Sequence, residues 1–257
     1  MSMAAPLAMA RQAGAGSPVV FLHGLGSDRL SWAAVEPAAS GHAIWNVDLP
    51  GHGESDDDPG DGSIDTLVER VFTDPAIPQT GPLHLVGHSL GGGLALAYAA
   101  SRPDRVASLF LIAPAGLGRG LDRSFLEGLP EIASDEDAAE LLRRGVSAPH
   151  LISPPIVARA LSRRASPSAR GALRAMAHWL LDAEGRLSAD ADAVSARGLR
   201  RFCVWGAEDR INPPDPARLD GFGPHRLIEG AGHLPQVEAP MKVRKLLVEH
   251  LTAGAEP

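Results

Sequence analysis

A single cysteine, Cys203, stands in 257 residues, so no internal disulfide can form and a cysteine-based metal site has too few thiols. Aromatic residues make up 4% of the chain, with four tryptophans and one tyrosine, too few for a stacking platform for single-stranded nucleic acid. Basic residues are also in deficit: 24 Lys and Arg against 31 Asp and Glu leave a formal charge of -7. With positive charge confined to short Arg pairs, neither nucleic acid nor an anionic membrane is an expected partner. No apolar run approaches the roughly 18 residues of a spanning helix. The opening "MSMAAPLAMARQ" has no basic region before its short apolar segment, so it reads as an edge strand and not a secretion signal. The expected location is the cytoplasm. Ten histidines are scattered without ligand spacing, so no metal and no cofactor is expected, and the expected partner is a small-molecule substrate.

What is present is a rhythm. The apolar runs "PVVFLHGLG", "AIWNVDLPGHG", "LHLVGHS", "SLFLIAPAG" and "RFCVWGAED" each end at a Gly-rich or Asp-containing turn. Uninterrupted apolar runs of that length are strands buried on both faces. Helical stretches such as "LGGGLALAYAASRPDRV" and "APMKVRKLLVEHLTA" lie between or after them. The alternation predicts an α/β fold, a mostly parallel doubly wound sheet whose ligands bind beyond the carboxyl ends of the strands. From about residue 119 to 196 the rhythm breaks and helix signals dominate. Ser134 precedes Asp135, Glu136 and Asp137, with Arg143 and Arg144 at the far end, a capped helix whose charges oppose its dipole. "SPPIVARALSRR" and "SPSARGALRAMAHWLL" each open with Ser then Pro, a good helix entry. Residues 119–196 are thus expected as a helical lid inserted in a core formed by 1–118 and 197–257.

"GHSLGG", residues 87 to 92, places Ser89 between a strand-like "LHLV" and the helical "LALAYAA". With 28 glycines and 19 serines, chance gives about 0.2 matches to G-x-S-x-G. The strand before and helix after are what an elbow needs to hold a serine hydroxyl exposed on a strained turn, the glycines letting two backbones pass closely. Serine becomes a nucleophile only when a base takes its proton. In chain order the candidates are Asp209, just past "RFCVW", and His233 in "GAGHLPQ". His233 would move the proton and Asp209 would fix the imidazole tautomer, with the neighbouring Glu208 competing for the acid role. The oxyanion would be met by the backbone N–H of Leu90, at the helix start, and of Leu25 in "HGLGS".

Five motifs in order, "VVFLHGLGS", "VDLPGHGES", "LVGHSLGGGLALAYA", "WGAEDRINP" and "GAGHLPQVEAP", resemble the α/β-hydrolase superfamily across nearly all of the chain outside the lid. "PDRVASLFLIAPAGLG" and the last two motifs look particularly like the hydrolase-like domain of acyltransferase components of acetoin dehydrogenase systems. That resemblance implies the α/β-hydrolase fold, Ser89, Asp209 and His233 as a triad, and Leu25 and Leu90 as the oxyanion hole. Such acyltransferases commonly carry a lipoyl domain in front; here the first strand comes almost at once, which favours water as the acceptor.

The expected activity is serine hydrolysis of an ester or thioester of a small to medium, largely apolar acid through an acyl-enzyme. Acyl transfer to a thiol carrier and hydrolysis of a carbon–carbon bond are the alternatives, and a non-catalytic ligand-binding protein is disfavoured by the intact Ser, Asp and His. Trp32 is a candidate to wall the substrate pocket but suits packing on the core better, and Phe125, Met176, His178 and Trp179 are candidates to line the pocket from the lid, although at helical spacing Met176 and Trp179 more often pack the lid onto the core. His23 is expected to orient its own loop, His52 to serve a turn, His88 to fill the variable elbow position, and Cys203 to be buried in a strand.

Overall fold

The computed structural model describes residues 5–253; Met1 to Ala4, the start of the expected edge strand, and the last four residues of the second core segment lie outside the described residues. Seven strands form one sheet: β1 (Met9–Gln12), β2 (Gly16–Leu22), β3 (His42–Val47), β4 (Leu83–His88), β5 (Val106–Ile112), β6 (Arg201–Gly206) and β7 (His225–Ile228). Their order is β1-β3-β2-β4-β5-β6-β7. Only β1 runs antiparallel, pairing Met9 with Val47 at the sheet edge. The five apolar runs of the sequence are β2 to β6, and "MARQ" is the edge strand.

Alternate residues of each strand feed opposite faces, as a pleat requires. Val20, Leu22, Leu85, Leu109, Leu111, Cys203 and Trp205 pack on one side. Val19, Phe21, Val86, Phe110, Ile112 and Val204 pack on the other. On the first face lie α1 (Ile64–Phe72), α2 (Leu90–Ser101) and α8 (Pro216–Phe222). On the second lie Trp32, Val35 and α10 (Pro240–Thr252), through Val243, Leu247 and Leu251. The short helix α9 (Pro235–Glu238) leads into α10.

Between β5 and β6 the chain forms α3 (Arg123–Gly128), α4 (Asp135–Arg144), α5 (Pro154–Ser162), α6 (Pro167–Asp182) and α7 (Glu184–Ala196). The Ser134 side chain accepts from Asp137 N and that of Ser166 from Ala169 N, so both predicted starts are capped. Ser153 precedes α5 without a side-chain cap bond. Within the segment 119–196 the last helix packs on α2 and not over the cleft. Leu187 is fully buried facing Gly93 and Gly116, and Ser188 Oγ donates to Gly116 O at 3.1 Å. α7 thus buries its apolar residues Leu187, Ala191 and Val194 against the sheet layer.

The position of the cleft follows from the strand order. After β2 the chain crosses to β3 on one side, and β4 then returns to pair with β2 on the other. The segments leaving β2 and β4 diverge there, opening a crevice at the carboxyl ends of both strands.

Candidate active site

β4 is buried along its whole length and delivers Ser89 to that crevice. Ser89 has φ 52 and ψ -113, a left-handed conformation that costs a non-glycine residue about 1–3 kcal/mol and persists only where the surroundings enforce it. They do so through Ser89 N donating to Ile112 O at 3.0 Å and Ala115 N donating to Ser89 O at 3.0 Å. Ala113, at φ 42, is the second non-glycine residue in this region of backbone space. Asn212 Nδ2 braces it by donating to Ala113 O at 3.1 Å and Pro114 O at 3.0 Å. The glycines around the serine are needed for close approach: a Cβ on Gly91 would stand 2.1 Å from Leu22 O, and one on Gly87 2.5 Å from Gly91 O.

Asp209 and His233 are brought together. His233 Nδ1 lies 2.8 Å from Asp209 Oδ2. The carboxylate also accepts from Trp205 Nε1 at 3.0 Å, Ile211 N at 2.8 Å and Asn212 N at 2.9 Å. Four nitrogens thus hold one fully buried acid whose Oδ2 points at the imidazole. Glu208, the other candidate for the acid role, is exposed. Ser89 and His233 line one cavity; among the described residues no hydrogen bond joins the Ser89 hydroxyl to the imidazole.

The loop of His233 is tied down from three sides. His233 N donates to Gly145 O at 2.8 Å, and His88 Nε2 lies 2.9 Å from His233 O. Glu238 accepts from Gly232 N at 2.6 Å, Ser147 N at 2.7 Å and Ala148 N at 3.1 Å, joining this loop to the end of α4. Burial, then the neighbouring His233, pushes the pKa of His88 well down, so it is a neutral donor.

Leu25 lies on the cavity wall, and the N–H of Leu90, the first residue of α2, has no acceptor within its own helix. The Leu25 loop is set by two neutral histidines. His23 Nδ1 contacts Gly24 O at 2.8 Å while its Nε2 accepts from Leu49 N at 3.0 Å. His52 Nε2 accepts from Gly26 N at 2.9 Å, and burial holds the His52 pKa down at about 3. The fully buried Arg164, just after α5, reaches the same loop, donating to Leu129 O at 2.6 Å and Gly26 O at 3.4 Å. Desolvation lowers its pKa to about 10.

The cavity measures about 400 Å³. Leu25, Ala33, Phe125, Leu126, Leu129 and Leu142 are among its apolar walls, and Asp28, Arg159 and Arg163 its charged ones. Of the predicted pocket residues only Phe125 lines it. Trp32 is fully buried against Phe21, with ring centroids 5.4 Å apart, because its 3-10 turn packs on the second face of the sheet. Met176 is fully buried beside Gly51, Trp179 packs on the core, and His178 is exposed. Ile152, just before α5, and Ile156 and Ala160 of α5 stand there instead, so α5 and not α6 presents its side chains to the cleft. Sequence reading also passed over Gln236 and Glu238, although both lie inside "GAGHLPQVEAP". Cys203 is buried in β6, its thiol pKa pushed up by desolvation. A second hollow of about 420 Å³, lined by Ile132, Ala158 and Arg164, lies among the helices between β5 and β6 and contains none of the predicted residues. Among the described residues no group of three or more His, Cys, Asp or Glu could hold a metal ion, and no helix is long and apolar enough to cross a membrane.

A family model described as the alpha/beta hydrolase family matches residues 19–246. The chain is similar to the dihydrolipoyllysine-residue acetyltransferase component of the acetoin cleaving system of Pseudomonas putida, with 32% identity over 92% of this chain and 64% of that protein. The protein of the same name from Cupriavidus necator is 28% identical over 94% of this chain and 65% of its own length. The chain thus spans just under two thirds of these relatives. Among solved structures, a mutant of the meta-cleavage product hydrolase CumD superposes with a TM-score of 0.83 at 23% identity, covering 98% of this chain and 97% of that one.

Proposed function

Since this chain belongs to the alpha/beta hydrolase family, we propose that it is a serine hydrolase acting on an ester or thioester of a small to medium, largely apolar acid. The Asp209–His233 contact of 2.8 Å, on the cavity into which the strained elbow delivers Ser89, carries this reading. The Ser89 hydroxyl gives its proton to His233 Nε2 while Oγ bonds to the carbonyl carbon, whose π pair moves to oxygen. The backbone N–H groups of Leu25 and Leu90 meet that oxyanion; losing one such donor typically costs about 2.7–4 kcal/mol of barrier. The tetrahedral species collapses, the C–O or C–S bond breaks, and the leaving group takes the proton from His233. Water, deprotonated by the same imidazole, then attacks the acyl-enzyme and frees the acid. Asp209 holds the Nδ1–H tautomer and stabilises the imidazolium.

The apolar walls suit an apolar acyl group, and about 400 Å³ is room for a small to medium one. Fluorophosphonate is expected to label Ser89, with labelling abolished in Ser89→Ala; folded protein that never labels counts against the reading. A second reading, acyl transfer to a thiol carrier, is favoured by the acetyltransferase name of the 32% identical relative. Product analysis with lipoamide present separates the two: a lipoamide thioester supports transfer, free acid alone supports hydrolysis. Hydrolysis of a carbon–carbon bond in a diketone is a third reading, tested by the same product analysis on a diketone substrate.

A further inference from the structure

Among the described residues the charged side chains lining the cavity are Asp28, Arg159 and Arg163. Two positive charges against one negative leave an excess of positive charge on the wall of a chain whose formal charge is -7. Arg159 lies on α5 and Arg163 one turn later at its C-cap, and like charges at that spacing repel unless an anion lies between them. Asp28 fills that place in part: its Oδ2 is 2.5 Å from Arg159 Nε but 3.9 Å from Arg163 Nε. The Asp28 side chain is 7% exposed, against 40% for Arg159 and 25% for Arg163, so the carboxylate is enclosed while both guanidiniums reach solvent. Arg163 also donates through Nη1 to Gly53 O. Neither Nη of Arg159 nor Nη2 of Arg163 makes a hydrogen bond among the described residues. The neighbouring Arg29 is engaged by Asp48 and Glu54, and none of these three lines the cavity.

We infer that Arg159 and Arg163 form an anion subsite at the mouth of this cavity and bind a carboxylate or phosphate carried by the leaving group. The gradient of burial along the wall sets the orientation. Leu126, Leu129 and Ile152 are buried, whereas Leu30 and Ile156 on the same wall are exposed. The apolar acid takes the buried end, and the alcohol or thiol that leaves then faces the two arginines. A guanidinium presents parallel N–H donors that match the paired oxygens of a carboxylate or phosphate. An ammonium on the leaving group would be repelled, and a neutral one would leave the excess charge unmet. This assignment rests on the serine hydrolase reading and adds the charge of the leaving group to it.

The test is a ratio of kcat/KM between substrates that differ in the charge of the leaving group. S-butyryl phosphopantetheine is compared with S-butyryl pantetheine, and S-butyryl 3-mercaptopropionate with its methyl ester, in wild type, Arg159→Gln, Arg163→Gln and the double variant. Wild type is expected to favour the charged member, through a lower KM, by about tenfold or more over the ratio in the double variant, with the single variants between. A preference in the phosphate pair, the carboxylate pair or both supports the subsite and names its anion. Asp28→Asn keeps an acceptor for Leu30 N and removes the resident charge, so it is expected to raise the preference. Salt at about 0.5 M is expected to lower it in wild type. Both members of a pair meet the same protein, so any loss of folded enzyme cancels in the ratio. Ratios in wild type and double variant that agree within about twofold for both pairs, or a wild-type preference for the neutral members, overturn the inference. The underlying reading fails differently, by absence of Ser89-dependent turnover of any ester.

Discussion

Replacing Asp209 by asparagine removes one negative charge and changes little in shape, and the surroundings fix how the new amide must turn. Oδ1 is the acceptor for the amides of Ile211 and Asn212, while Oδ2 faces Trp205 Nε1 and His233 Nδ1. The indole has a second acceptor, Asn212 O at 2.8 Å. The oxygen of the introduced carboxamide is therefore expected toward the two backbone N–H groups, with its NH2 toward the imidazole. His233 must then present a lone pair at Nδ1 and carry its proton on Nε2, the nitrogen that is to accept from Ser89. Loss of the correct tautomer costs about 10⁴ in kcat, or about 5.4 kcal/mol of barrier. Stability should fall by only about 1–2 kcal/mol, because both amides and the indole keep an acceptor. The assay pairs p-nitrophenyl ester turnover and fluorophosphonate labelling rate with thermal unfolding. A folded Asp209→Asn protein with less than a hundredfold loss would refute the assignment of the tautomer to this carboxylate.

Ser89→Gly should abolish labelling yet raise stability by about 1 kcal/mol in urea unfolding, since glycine takes φ 52 without strain; a destabilised variant contradicts the strain. Gly91→Ala should cost about 1–3 kcal/mol or prevent folding, as its Cβ would meet Leu22 O at 2.1 Å; a midpoint equal to wild type refutes it. Glu238→Ala should slow Ser89 labelling about 10–100-fold with a smaller change in KM, by loosening the loop of His233; an unchanged labelling rate argues that the loop holds without it. Stability should decline as pH falls from 6.5 toward 4. Burial first, then Arg200, lowers the pKa of His84 to about 4 and of His250 to about 3, both against Ser108 Oγ. Their folded values lie below the unfolded value of 6.5, so the unfolded state takes up protons first in that window. Urea midpoints that stay level from pH 7 to 5 would exclude this.

Much of the sheet was legible because strands buried on both faces write long apolar runs, and β2 to β6 did so. β7 was not, since "HRLI" is an edge strand with polar side chains at two of four positions. Asp209 could be named as a candidate because it follows the legible strand β6, and His233 because it lies in a Gly-rich loop ahead of the last helix; their contact joins two adjacent loops. The insertion between β5 and β6 was legible as helices through its Ser-Pro and Ser-Asp starts, but not as a surface. Periodicity in α6 marks a buried stripe without saying whether it meets the core or the cleft, and Met176 went to the core while Ile156 of α5 took the cleft. The residues of the α7 segment read as part of the lid because a helix on a sheet and a helix over a cleft share one pattern.

The reversal of winding direction between β3 and β4 has a consequence for descent. The hollow it opens comes from backbone topology and precedes any choice of side chain, so a descendant without the hydroxyl of residue 89 would still own a sheltered, mostly oily compartment. On the proposed function, such a descendant would still shelter much the same small molecules, one substitution away from the chemistry.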